Sequence, residues 1–218
     1  MFKLVVMVSG GGTNLQTIIN SIESGELSGV EITAVISTNK HAYALQRAKK
    51  HKIRTEVFSK KDFVGNKERE SALFEFLCDL DVNLVVLCGC LMVFSEEFIK
   101  KLKIPIINIH PSLLPDFGGR GFYGLRVHEA VLAAGVKKTG ATVHYVDGGI
   151  DTGKIILQRE VGVLPGDTPQ SLQLRVMLEA ERWLLPEAVK KIITAVPKRS
   201  LKPNLNRNSY KTKTEGRM

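Results

Sequence analysis

The chain has 218 residues, 44% of them hydrophobic, with 31 Lys and Arg against 22 Asp and Glu for a formal net charge of +9. That hydrophobic content supports a real core and excludes disorder of the whole chain, and the length suits one domain of roughly 100–200 residues with an appendage. The longest apolar run, residues 84–94, is too short for the roughly 20 residues that cross a bilayer. The run at 4–8 is too short for a secretory signal, so the expected location is the cytoplasm. Cys78, Cys88 and Cys90 lie in apolar surroundings and read as reduced core thiols.

From the N-terminus onward, short β-branched runs alternate with helical patterns: a strand at 4–8, then a helix at 15–22; a strand at 32–36, then a helix at 42–50; a strand at 84–87, then a helix at 96–102; a strand at 104–109. This alternation predicts βαβ units and a Rossmann-like α/β fold, a mostly parallel twisted sheet with helices on both faces. Between the first strand and helix lies Ser9-Gly10-Gly11-Gly12-Thr13-Asn14. Glycines at a helix start expose backbone N–H groups to an anion. The loop lacks the Lys of a triphosphate loop, and the second strand lacks the acid of a dinucleotide site, which leaves a monophosphate or a plain tight turn.

The strand at 104–109 runs into Asn108-Ile109-His110-Pro111. Side chains alternate along a strand, so Asn108 and His110 share one face. Pro111 ends the strand at its carboxyl end, where open α/β sheets bind ligands. The glycine-rich stretch 118–124 follows, either a lid or a surface loop, and leads to a helix near His128. Strands at 141–146 and 154–161 are separated only by a turn, which predicts an antiparallel or mixed end to the sheet. The turn carries Asp147 and Asp151, and either carboxylate, placed beside His110, would raise the imidazole pKa. His144, inside the strand, reads as a structural residue. No metal-binding spacing accompanies His110, His128 or His144, and no metal is expected.

A long helix opens at Thr168-Pro169, a capping residue followed by Pro at the first helical position. On it Leu174, Leu178, Glu181 and Leu185 form one apolar stripe, so Glu181 faces inward and needs a cationic partner. Residues 197–218 hold seven basic residues and one acid, a charge of +6, which leaves +3 for residues 1–196. The expected organisation is one domain, 1–196, and a basic, disordered tail, 197–218. Without a basic surface motif studded with aromatics, nucleic acid is not the expected partner.

Three segments together resemble the phosphoribosylglycinamide formyltransferase family of purine biosynthesis: Ser9 to Gln16, Asn108 to Pro115, and Gly140 to Gly153. The middle motif is shared with other folate-dependent formyltransferases, including formyltetrahydrofolate hydrolase, and the first motif separates them. The resemblance covers residues 4–193. It implies a formyltransferase fold and transfer of a formyl group from 10-formyltetrahydrofolate, as co-substrate, to the amine of glycinamide ribonucleotide.

The resemblance also implies that Asn108, His110 and Asp151 are catalytic and that Gly12, Thr13 and Asn14 hold the ribonucleotide phosphate. Glu181 meets the amine, and the folate lies along Leu91, Met92, Val93, Phe94, Asn108 and Asp147. In that reading Asn108 and a protonated His110 stabilise the tetrahedral oxyanion, while Asp151 keeps His110 charged and relays the proton. Where many members of the family carry Arg, this chain has Met92. Near Asn66, where a basic residue is usual, Lys67 or Arg69 would have to hold the folate tail. Partners are the two small molecules, with no membrane, and the chain is a monomer or homodimer. A formyltetrahydrofolate hydrolase is the alternative.

Overall fold

The computed structural model describes residues 1–195; the basic segment at 197–218 lies outside the described residues. The elements run β1 (Phe2–Val8), α1 (Thr13–Glu23), β2 (Val30–Ser37), α2 (Tyr43–Lys50), β3 (Thr55–Val57), a 3-10 turn (Lys60–Asp62), α3 (Asn66–Asp79), β4 (Leu84–Leu87), α4 (Glu96–Leu102) and β5 (Ile106–His110). They continue as α5 (Leu125–Ala133), β6 (Lys138–Tyr145), β7 (Ile155–Gly162), α6 (Pro169–Val176), a π-helical turn (Met177–Glu181) and α7 (Arg182–Ala195).

All seven strands form one sheet in the order β3-β2-β1-β4-β5-β6-β7. The pairs β1–β2, β1–β4, β2–β3 and β4–β5 are parallel, and β6 and β7 complete the sheet antiparallel, as the short connection between them requires. In β1 the side chains of Leu4, Val6 and Val8 enter one core and those of Val5 and Met7 the other, all fully buried. A strand apolar on both faces belongs in the middle of a parallel sheet covered by helices. The first core is shared with residues of α1, α2, α6 and α7, the second with α3 and α4.

Helix starts follow their local chemistry. Ser95 caps α4 by accepting from the Phe98 N–H, and Thr168 and Ser171 bond reciprocally to each other's backbone N–H as a capping box for α6, with Pro169 first in the helix. Two elements escape the periodicity. In α3 the charged Arg69 and Glu70 occupy buried positions beside Leu73 and Leu77, which blurs the apolar stripe; β3 is only three residues long.

Half of the expected stripe on the last helix is buried: Leu185 and Glu181 face inward, but Leu174 and Leu178 are exposed, at 52% and 44%, and Leu172, Val176, Ala180, Leu184 and Ala188 complete the buried line. The π-helical turn at Met177–Glu181 breaks the regular 3.6-residue count on which the stripe was drawn. Glu181 is buried all the same, beside Ala180.

The order of the strands places the site. The chain leaves β1 towards β2 on one side and β4 on the other, so the loops after β1 and β4 diverge and open a crevice at the carboxyl ends of the strands. No helix of the described residues is long and apolar enough to cross a membrane.

Candidate active site

A cavity of about 820 Å³ lies at that crevice. Its walls come from the start of α1, the segment after β4, the end of β5, the 119–124 loop, the turn after β6, and α6 with the π-helical turn. Eleven of the twelve residues implicated by sequence border it: Thr13, Asn14, Leu91, Met92, Val93, Phe94, Asn108, His110, Asp147, Asp151 and Glu181. Gly12 is packed behind. Its φ of 73° is left-handed, and a Cβ there would meet the Ala44 Cβ at 2.6 Å, so only glycine fits.

At one end, the Asn14 amide donates to Glu181 Oε2 at 2.8 Å, joining residues 167 positions apart, while Asn14 Oδ1 is buried without a partner. Burial pushes the Glu181 carboxyl above the usual range, and the Asn14 hydrogen bond works against it. No cation among the described residues forms an ion pair with Glu181, so this acid and the Asn14 carbonyl are both available to ligand donors.

Part of the cavity wall is apolar. Met92 and Phe94 are buried in the core under α3 and α4, and Leu91 and Val93 are exposed. Leu91 is tied to the first loop, its N–H donating to Ser9 Oγ at 2.9 Å. Asn66, Lys67 and Arg69 do not border the cavity. Asn66 donates to Glu70, which in turn accepts from the Ser95 N–H and hydroxyl, and Arg69 is buried with its Nε unpartnered. Asp147 accepts from the Gly149 N–H and from the Thr152 hydroxyl at 2.7 Å. Mainly through Thr152 its carboxyl is held below the ordinary range; it orders the turn after β6.

The catalytic candidates meet at the same cavity. Antiparallel pairing sets Asn108 opposite His144 and His110 opposite Thr142, and Asp151, at φ 58° in the turn, reaches back over both. His110 Nδ1 lies 3.5 Å from Asp151 Oδ2, and His110 Nε2 donates to the Phe117 carbonyl at 2.8 Å. The Gly119 N–H donates to Asp151 Oδ2 at 3.0 Å. Asn108 Nδ2 lies 3.3 Å from Asp151 Oδ1 and 3.2 Å from His144 Nε2. His144 Nδ1 must donate to the Tyr145 carbonyl at 2.8 Å, because a carbonyl only accepts. A neutral His144 then accepts from Asn108 at Nε2, and only its imidazolium would donate to Asp151.

The electrostatics correct one expectation. Asp151 does raise the His110 pKa, as does the Phe117 carbonyl, but burial is larger and, with His144, leaves His110 below the ordinary histidine value. In the ligand-free protein burial thus works against the charged imidazole that Asp151 favours. Burial also works to raise Asp151, yet His144, His110 and the Gly119 N–H outweigh it and hold the carboxyl below its usual range.

Two residues outside the expected set bond to segments of the site, His144 on the cavity wall and Arg47 behind it. His144 looked like an internal strand residue, and its contact with Asn108 spans 36 positions, beyond any local pattern. Arg47, on α2, donates from Nε to the Gly11 carbonyl at 2.8 Å. A third histidine, His128, is fully buried at the cavity wall with neither ring nitrogen hydrogen-bonded, and burial followed by the nearby His110 lowers its pKa to about 4. Among the described residues no group of three or more His, Cys, Asp or Glu is placed to hold a metal ion, and the three cysteines are unpaired.

Comparison with known proteins shows the family. Residues 2–189 match the family model described as formyl transferase. The chain is 38% identical over 190 residues to a phosphoribosylglycinamide formyltransferase of Haemophilus influenzae, covering 87% of this chain and 86% of that one. It is 40% identical over 187 residues to part of the trifunctional purine biosynthetic protein adenosine-3 of Gallus gallus, covering 86% of this chain and 18% of that one. The crystal structure of glycinamide ribonucleotide transformylase 1 from Symbiobacterium toebii superposes with a TM-score of 0.82 at 35% identity, over 91% of this chain and 92% of that chain. The chain belongs to the formyl transferase family, and within it to the phosphoribosylglycinamide formyltransferases.

Proposed function

We propose that the protein transfers the formyl group of 10-formyltetrahydrofolate to the amino group of glycinamide ribonucleotide, with Asn108, His110 and Asp151 as the reacting groups. One observation carries this reading: the three side chains converge in one cavity that is also lined by the polar Thr13, Asn14 and Glu181 and by the apolar Leu91, Met92, Val93 and Phe94. The polar end suits a ribosyl phosphate at the start of α1 and hydroxyl or amino donors at Glu181. The apolar wall suits a flat heterocycle, with Asp147 at its edge.

The amine nitrogen attacks the formyl carbon, the carbonyl oxygen becomes an oxyanion, and the bond from that carbon to the folate nitrogen breaks. One proton leaves the attacking nitrogen and one arrives at the departing nitrogen, so charge balances. His110 is the group that stabilises the oxyanion and moves the proton, and it does so as the imidazolium. Negative charge developing on the substrate adds to that of Asp151, and together they offset the burial that lowers the His110 pKa. Asn108 donates to the oxyanion by exchanging one of its two bonds, to Asp151 or His144, for the substrate oxygen. Each such donor is worth about 3 kcal/mol of barrier. No step calls for a metal, and a cytoplasmic location and a single catalytic domain at 1–196 belong to the same proposal.

The test is deformylation of 10-formyltetrahydrofolate followed by absorbance, with and without glycinamide ribonucleotide. Turnover that requires the amine supports transfer. Equal turnover without it would mean hydrolysis by the same three residues, and no turnover in either case would overturn both.

A further inference from the structure

The loop assigned above to a phosphate has no charge of its own, being Ser9-Gly10-Gly11-Gly12-Thr13-Asn14. The start of α1 offers about half a positive charge, against the nearly two negative charges of a phosphate monoester near pH 7. Arg47 lies directly behind that loop. Its Nε donates to the Gly11 carbonyl at 2.8 Å, its Nη1 to Gln16 Oε1 at 3.3 Å, and its guanidinium lies 5.0 Å from the centroid of the Tyr43 ring. A Cβ on Gly12 would fall 3.5 Å from Arg47 Cδ, so the stem runs along the loop. Among the described residues no carboxylate lies within ion-pair distance of this guanidinium. The charge is anchored at several points and is not neutralised.

The anchoring also has a direction. A trans peptide points its C=O and the following N–H to opposite sides. Turning the Gly11 carbonyl to Arg47 turns the Gly12 N–H the other way, and the Ala44 N–H, bonded to the Gly10 carbonyl at 3.1 Å, does the same for Gly11. We propose that Arg47 is the residue by which the protein selects a phosphorylated amine over its phosphate-free counterpart, supplying the fixed positive charge beside the loop and aiming the loop's N–H groups. This rests on the formyl-transfer reading of the site.

The experiment compares the wild type with Arg47→Gln and Arg47→Lys on glycinamide ribonucleotide and on glycinamide riboside, which lacks the phosphate, with 10-formyltetrahydrofolate as donor. Gln keeps a donor for the Gly11 carbonyl and removes the charge; Lys keeps the charge. Arg47→Gln is expected to raise the KM for the ribonucleotide about tenfold or more, with the KM for the folate within about twofold, while kcat/KM on the riboside stays close to that of the wild type. Arg47→Lys is expected to recover most of the loss. Arg47→Gln with an unchanged ribonucleotide KM, or an equal fall in kcat/KM on both amines, would overturn the proposal. A wild type that formylates neither amine would instead remove the formyl-transfer reading, before any variant is compared.

Discussion

At Asp151 one carboxylate meets two imidazoles, an amide and a backbone N–H, and these contacts set the protonation of the whole site. Asp151 raises the His110 pKa, so removing its charge lets burial lower that pKa further. Asp151→Asn is therefore expected to cut kcat by about a hundredfold or more and to move the His110 limb of the pH–rate profile to lower pH, with the melting temperature within a few degrees of wild type. A profile that keeps its shape would count against the assignment.

His128 gives a separate pH effect. Its folded-state pKa, about 4, lies below the 6.5 of a free histidine, so between those values the unfolded chain binds more protons than the folded one. Stability from this group is intact above about pH 6.5 and declines as pH falls towards 4, by about 3 kcal/mol in total. His128→Phe, which removes the titration and keeps a ring in the pocket, should flatten that acid decline in urea unfolding; parallel pH dependences in the two proteins would show that His128 is not the cause. The residues of the site differ in how far sequence alone reached them. Asn108, His110 and Asp151 stand in recognisable motifs, whereas the positions of His144 and Arg47 follow from contacts 36 residues distant, to Asn108 and to Gly11.

At the scale of elements, alternation of apolar runs located most strands and helices to within a few residues, and Thr168-Pro169 located the start of α6. Regular patterning could not reveal α3, where buried Arg69 and Glu70 replace apolar residues because Glu70 serves the start of α4. Nor could it foresee the π-helical turn that moves the buried line off Leu174 and Leu178. The turn after β6 carries Asp151 and depends on close approach at Gly153, where a Cβ would collide with the Tyr145 carbonyl oxygen. Gly153→Ala must shift that turn. It is expected to cost about 1–3 kcal/mol in denaturant unfolding and to lower kcat more than either KM, since Asp151 moves while the polar end and the apolar wall do not. A variant with wild-type kcat would show that the turn does not position the acid.

At the scale of the molecule, strand order explains why one crevice gathers polar and apolar groups from several loops. The switch between β1 and β4 opens it, the loop after β1 supplies polar groups, the segment after β4 supplies apolar ones, and β5, next to β4, delivers Asn108 and His110 to the same cavity. The net charge of +9, unusual at first sight, carries little of this, because +6 of it falls on residues 197–218. The central claim, that a formyl group passes between two ligands held in this crevice, is tested most directly by following the group itself. Incubate the protein with 10-formyltetrahydrofolate labelled in its formyl carbon and with glycinamide ribonucleotide, then resolve the products by mass spectrometry. The label is predicted to appear in N-formylated glycinamide ribonucleotide in step with folate deformylation; label released as formate, with the amine unchanged, would contradict the account.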